Sequence, residues 1–144
     1  MVSKSSVNKS ITVGSNMAAL EEVCQQLLAE ATANHFDVDS IFGIHLALEE
    51  AFYNAVKHGN KQDTSKQVHI EYMITQEKYE IYIADDGDGF NPDDVPDPRL
   101  EENLYRTCGR GMLLMDSFMD VLEYNQKGNR VRMIKYKNKS QNES

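Results

Sequence analysis

Three short stretches of this chain set reactive residue types at spacings that can do chemistry. The first runs Glu50-Ala51-Phe52-Tyr53-Asn54-Ala55-Val56-Lys57-His58-Gly59-Asn60, in which Glu50, Asn54 and His58 recur every four residues and so share one stripe of a helix. A carboxylate and a carboxamide one turn apart can accept a proton and offer a neutral oxygen to a hard cation such as Mg²⁺. A solvated helix face carries the same residue types. In the second stretch, Ile81-Tyr82-Ile83-Ala84-Asp85-Asp86-Gly87-Asp88-Gly89-Phe90, an apolar strand ends on Asp85 and glycines follow at alternate positions. That places a fixed carboxylate beside backbone that can bend sharply and approach a ligand closely. A plain acidic turn would use the same residues, but it would lead straight into another strand. The third stretch, Arg106-Thr107-Cys108-Gly109-Arg110-Gly111-Met112, opens a helix. Free N–H groups there, left uncovered by glycine and reinforced by Arg106 and Arg110, suit an anion such as phosphate. A glycine-containing loop before a helix is the competing interpretation. Neither the phosphate loop G-x-x-x-x-G-K-S/T nor the dinucleotide fingerprint G-x-G-x-x-G occurs in the chain.

These stretches need elements to hold them. Ser10-Ile11-Thr12-Val13, ended by Gly14, predicts a short strand at a sheet edge. Ser15 and Asn16 can cap a helix that buries Leu20, Val23, Cys24, Leu27, Leu28 and Ala31 and exposes Glu21, Glu22, Gln25 and Gln26. After a loop at 34–37, with Asp39 or Ser40 as the cap, a second helix is expected from about Ile41 to Lys57, burying Ile41, Ile44, Leu48, Ala51 and Ala55. The period then changes to two. Val68, Ile70, Tyr72 and Ile74 alternate with His69, Glu71 and Met73, and Tyr79 to Ala84 follows as a second strand. The segment between Asp85 and Thr107 holds all 3 prolines and the acids Asp93, Asp94, Asp97, Glu101 and Glu102. Loops longer than about 12–15 residues inside a domain are usually functional lids or disordered. A third helix opens at Gly109-Arg110-Gly111 and buries Met112, Leu113, Met115, Phe118 and Met119. Val121 to Tyr124 and Val131 to Lys137 form a hairpin about Lys127-Gly128-Asn129, and the tail 138–144 is expected to fray. This order predicts an α+β fold, a two-layer α/β sandwich with helices on one face of a mixed, mostly antiparallel sheet.

Composition sets the outer bounds. A chain of 144 residues, 40% hydrophobic and 26% charged, fits one soluble globular domain over 1–144 with its core at about 11–137. The net charge of −8, from 15 basic and 23 acidic residues, argues against nucleic acid or anionic membrane as a general partner. The apolar runs are too short for the roughly 20 residues of a membrane span. With no secretory pattern in MVSKSSVNKSITVG and no ligand or redox spacing at Cys24 and Cys108, a cytoplasmic location with both thiols free is expected.

Taken in order, the acid-plus-amide helix, the strand ending Asp-x-Gly-x-Gly, the lid and the Gly-x-Gly before a helix resemble the N, G1 and G2 boxes of the GHKL superfamily. That is the Bergerat-type ATP-binding fold of gyrase, MutL and the histidine kinases. The likeness covers Ile11 to Lys137. Within the superfamily, Ala55-Val56-Lys57-His58-Gly59-Asn60 and Gly109-Arg110-Gly111-Met112-Leu113-Leu114-Met115-Asp116-Ser117-Phe118-Met119-Asp120 are similar to the small anti-sigma factor serine kinases of the RsbW and SpoIIAB type.

The resemblance implies ATP and Mg²⁺ as cofactors. It implies Asn54 as the Mg²⁺ ligand, Asp85 as acceptor of the adenine amino group, and Gly87 and Gly89 as pocket floor and lid hinge. Gly109 and Gly111 would give N–H groups to the phosphates, Arg106 or Arg110 would meet the γ-phosphate, and Glu50 would be the general base. One departure stands out. Such proteins often carry a small hydroxyl residue in the last hairpin, whereas this chain reads Gly128-Asn129-Arg130-Val131-Arg132, where no ligand contact is expected. The implied activity is phosphorylation of a serine or threonine on a STAS-type anti-sigma antagonist, with control of a sigma factor and a possible homodimer. An ATP-binding switch without turnover and a simple ATPase are the alternatives.

Overall fold

In the computed structural model, which describes residues 6–87 and 118–137, five antiparallel strands carry two helices on one face. The strands are β1 (Val7–Gly14), β2 (Gln67–Ile74), β3 (Lys78–Asp85), β4 (Val121–Tyr124) and β5 (Arg130–Tyr136). Their order in the sheet is β1-β2-β3-β5-β4, and every neighbouring pair is antiparallel. The helices are α1 (Leu20–Ala33), entered through a 3-10 turn at Met17–Ala19, and α2 (Val38–Asn54), which runs on into a π turn at Ala55–Gly59.

Alternation along the strands makes the core. Val68, Ile70, Tyr72 and Ile74 on β2, and Tyr79, Ile81 and Ile83 on β3, are all buried. They meet Val23, Leu27 and Ala31 from α1 and Ile44, Leu48, Ala51 and Phe52 from α2. Two buried tyrosines keep their hydroxyls partnered, as burial requires. Tyr79 Oη donates to the Leu27 carbonyl at 2.8 Å, and Tyr72 Oη accepts from Gln26 Nε2 at 2.8 Å. Among the described residues, no helix is long and apolar enough to cross a membrane.

Several boundaries differ from the sequence expectation. The edge strand starts at Val7, not Ser10, because the ladder continues through polar Asn8 and Lys9 to pair Val7 with Ile74. Lys9 is accommodated by an ion pair with Glu30 at 3.0 Å, and a charged edge residue also discourages strand addition. The cap of α2 is Asp37, rather than Asp39 or Ser40: its Oδ1 accepts from the Ser40 N–H at 2.7 Å, so the helix begins at Val38. Its other end also departs from the plan. Beyond Asn54 the bonding widens, with Asn60 N–H donating to the Ala55 carbonyl at 2.8 Å, so His58 leaves the stripe shared by Glu50 and Asn54.

On the outer face of the sheet, Arg132 Nε meets Glu80 at 2.6 Å and its Nη1 meets Glu123 at 2.7 Å. Burial pushes the Glu80 carboxyl up, but hydrogen bonds from Tyr82, Arg132 and Lys78 outweigh it and hold the group down at about 2. Arg130 stacks over the Tyr82 ring at 4.2 Å on the same face. The expected lid, most of the third helix with Cys108, and the tail 138–144 lie outside the described residues. Phe118 and Met119 are described. Met119 is buried, and Phe118 packs edge-on to Phe42 at 6.1 Å.

Candidate functional site

Strand parity turns Asp85 inward and Asp86 outward. Asp85, at the end of β3, is 8% exposed, and its N–H donates to the Asn129 carbonyl at 2.9 Å. Its Oδ1 accepts from the Gly87 N–H at 2.9 Å. Beneath it lies the π turn. A Cβ placed on Gly59 would come within 2.0 Å of Asp85 Oδ2, and one placed on Gly87 would come within 1.8 Å of the Gly59 carbonyl oxygen. The carboxylate is therefore sandwiched against bare backbone that only glycine permits. Asp86 bonds outward, to His69 Nε2 at 2.8 Å and to the Gln67 N–H at 2.9 Å.

Asn60 ties this corner together. Fully buried, it donates through Nδ2 to Ser15 Oγ at 2.9 Å and to the Gln67 carbonyl at 3.0 Å, while its Oδ1 accepts from the Asp86 N–H at 2.8 Å. One side chain thus joins the end of β1, the start of β2 and the end of β3. Asn60→Ala would orphan several of these groups at once, and should cost about 3 kcal/mol, read as a fall in the urea midpoint at constant slope. Residue types and spacing alone give Asn60 and Gly59 no role of their own. Their signal was present in the Gly-Asn pair closing the helix, but it is indistinguishable from an ordinary helix stop.

Asn54, in the last turn of α2, is 5% exposed. Its Oδ1 is buried with no hydrogen-bond partner among the described residues. Buried acceptors without partners are rare, so this oxygen calls for an occupant. Asn54, Asp85 and Tyr124 line one cleft, with Ile83, Asn129 and Arg130 on its other walls. The cleft's free volume, about 10 Å³, admits roughly one water, so a purine ring needs it wider. Asn129 and Arg130, from the hairpin where no ligand contact is expected, line this cleft. Their position follows from the pairing of β5 with β3, which no local pattern encodes.

The electrostatics follow from burial. Desolvation raises the Asp85 carboxyl to about 6, helped by the charge of Asp86 and opposed by the Gly87 N–H and Lys66. Burial likewise pushes the Tyr124 phenol up to about 12; the Asn54 amide opposes this, and the negative Asp85 adds to it. Burial and the charge of Lys57 lower the His58 imidazole, which meets the Tyr53 ring edge-on. No group of three or more His, Cys, Asp or Glu suited to a metal occurs among the described residues. Glu50 sits half-buried on α2, one turn before Asn54. Of the remaining expected site residues, Gly89, Arg106, Gly109, Arg110 and Gly111 lie outside the described residues.

Comparison with known proteins identifies the family. The family model described as a histidine kinase-like ATPase domain matches residues 13–135. The serine-protein kinase RsbW of Listeria monocytogenes is 30% identical over 116 residues, covering 74% of this chain and 72% of that protein. RsbW of Bacillus subtilis is 32% identical over 110 residues, covering 72% and 69%. Among solved structures, the crystal structure of the RsbU and RsbW domains of a Mycobacterium tuberculosis protein superposes with a TM-score of 0.62 at 15% identity. It covers 90% of this chain, which spans 32% of that longer one, and it bears on the fold alone. With a family model spanning most of its length and relatives of this identity, the chain belongs to the histidine kinase-like ATPase domain family and is a relative of the RsbW serine-protein kinases.

Proposed function

We propose that this protein is an anti-sigma regulatory factor that uses Mg·ATP to phosphorylate a serine or threonine on a small STAS-type antagonist, and that it acts in the cytoplasm on a sigma factor when that antagonist is absent. The observation that carries the proposal is the pairing of a buried carboxylate, Asp85, with the unpartnered oxygen of Asn54 in one cleft. It is supported by relatives named serine-protein kinases. Asp85 is an acceptor for an exocyclic amine such as that of adenine. Asn54 Oδ1 is a neutral, hard oxygen, and one or two protein oxygens completed by phosphates and waters are the usual set for Mg²⁺. Bound there, Mg²⁺ would neutralise charge on the phosphates.

The remaining roles belong to the same proposal. Gly87 and Gly89 would form the pocket floor and hinge. Gly109 and Gly111 would offer N–H groups to the phosphates, and Arg106 or Arg110 would meet the terminal one. Glu50, one turn from Asn54, would take the proton of the attacking hydroxyl. A homodimer through the exposed sheet face and α1 is part of the same proposal, and sedimentation of the purified chain tests it.

Glu50→Gln separates the candidate activities. It should leave ATP affinity within a few-fold and slow transfer of labelled γ-phosphate to the antagonist by about 10³-fold, as expected for removal of a general base. Unchanged transfer would overturn the role of Glu50. Phosphate release without an antagonist would indicate a simple ATPase. Binding without transfer to any hydroxyl, in parent and variant alike, would indicate a nucleotide-dependent switch.

A further inference from the structure

We propose that the groove between α1 and α2 is a docking site for a basic, amphipathic helix of a partner protein. It stands apart from the nucleotide proposal, because the groove shares no residue with the cleft of Asn54 and Asp85. The groove holds about 450 Å³. Met17, Leu20, Cys24 and Leu28 line it in helical steps of three and four, and Glu21, His45 and Glu49 add polar groups to its walls. The stripe of α2 that carries His45 and Glu49 runs back through Phe42 to Val38, about 16 Å of helix axis. Met17, Phe42 and Val38 are exposed at 42%, 57% and 81%. Large apolar side chains left in water along a groove, with charged groups beside them, mark an interaction surface.

Charge and backbone chemistry choose the occupant. From Ser10 to Val56 the sequence has seven acidic residues and no lysine or arginine, so both helices are acidic from end to end. Among the described residues, no lysine or arginine pairs with Glu21, Glu22 or Glu49, and Glu49 has only His45, at 3.6 Å, as an ion-pair partner. Lysines or arginines flanking an apolar stripe complement such a rim, and an acidic partner is repelled by it. The groove is walled by helices, whose backbone groups bond within themselves. An extended peptide laid there would bury its own N–H and C=O groups without partners, whereas a helix brings its backbone already paired. The same charge argument disfavours the other occupants. A second copy would set Glu21 and Glu49 against acids of the same surface, and segment 88–117 of this chain is itself net acidic.

The probe is a fluorescein-labelled peptide of about 18 residues, built of leucine and lysine with the leucines on one helical face, titrated with the full chain at physiological salt and read by anisotropy. The same composition scrambled, so that the leucines share no face, should bind at least about ten-fold more weakly, and a version with glutamate for lysine should not bind. Glu49→Lys should weaken the amphipathic peptide by about ten-fold and Met17→Gln by about five-fold, with melting temperatures like the parent's. Glu77→Lys, the same charge change at an exposed position between β2 and β3, should cost less than about two-fold. No binding of the amphipathic peptide by the parent, equal binding of the scrambled one, or equal losses in Glu49→Lys and Glu77→Lys would each overturn the proposal. So would a self-associated parent that Glu49→Lys dissociates in sedimentation, which would seat a second copy in the groove. Calorimetry with ATP on the same samples keeps this proposal distinct from the nucleotide one. Glu49→Lys should bind ATP like the parent while losing peptide, and a parent that binds peptide but no ATP would defeat the nucleotide proposal alone.

Discussion

Asp85→Asn should lose ATP binding by at least about 100-fold while leaving the nucleotide-free protein as stable as the parent or more so. The two effects have one cause. In the parent, burial holds the Asp85 carboxyl at about 6 against an ordinary 3.8, a gap that corresponds to roughly 3 kcal/mol of cost for keeping it ionised in the fold near neutral pH. Because the folded protein binds this proton more tightly than the unfolded chain, the cost is present above about 6 and is relieved as pH falls from about 6 toward 3.8. Asparagine removes the charge and can keep the acceptor that receives the Gly87 N–H, so the empty fold gains. The nucleotide loses, because an amide NH₂ turned toward an amine opposes donor to donor. Urea unfolding and calorimetry on the same samples measure both signs. ATP affinity of the parent should also fall as pH drops through about 6, where Asp85 takes up its proton and stops accepting from an amine. A variant that binds ATP like the parent would remove Asp85 from the site.

Gly87→Ala should be the most disruptive single-atom addition in the described part of the chain. The new Cβ would stand 1.8 Å from the Gly59 carbonyl oxygen and 2.5 Å from its carbon, so backbone meets backbone and no side-chain rotation relieves the overlap. Either the end of β3, which carries Asp85, or the π turn packed against its carboxylate must move. A loss of about 3 kcal/mol in urea unfolding, with ATP binding abolished, is expected. Gly14→Ala is the matched control, because its Cβ would approach only the tip of the Asn16 side chain, at 3.1 Å. Equal stability of the two variants would show that the contact between Gly59 and Gly87 is not what fixes Asp85.

Much of this site was legible before the fold was known. Alternation along 67–74 and 78–85 predicted both strands to within a residue or so, and the apolar run ending on Asp85 marked a fixed carboxylate there. The helical spacing of Ile44, Leu48, Ala51 and Ala55 likewise marked the buried side of α2. Asn54 was misjudged by the same logic. The four-residue step grouped it with Glu50 and His58 as a polar stripe, whereas it is buried and His58 is carried out of register by the π turn. A period read from residue types assumes that the helix keeps its pitch, and nothing in Ala55-Val56-Lys57-His58-Gly59 announces that the pitch widens.

By itself, then, the sequence determined what repeats locally: element types, the buried face of each, a carboxylate at the end of an apolar strand, and the order of motifs that marks the family. Tertiary structure alone decided which atoms those elements bring together. Tyr124 and Asn54 line one cleft, Asn60 joins Ser15 to Asp86, and Gly59 lies under Asp85, each across a long separation in the chain. The reason is physical. Hydrophobic periodicity is a property of consecutive residues and survives any arrangement of the elements, whereas a hydrogen bond or a backbone contact between distant residues exists only once strand order and register are set. Here β5 lies between β3 and β4, and that placement, invisible to any local window, builds the cleft.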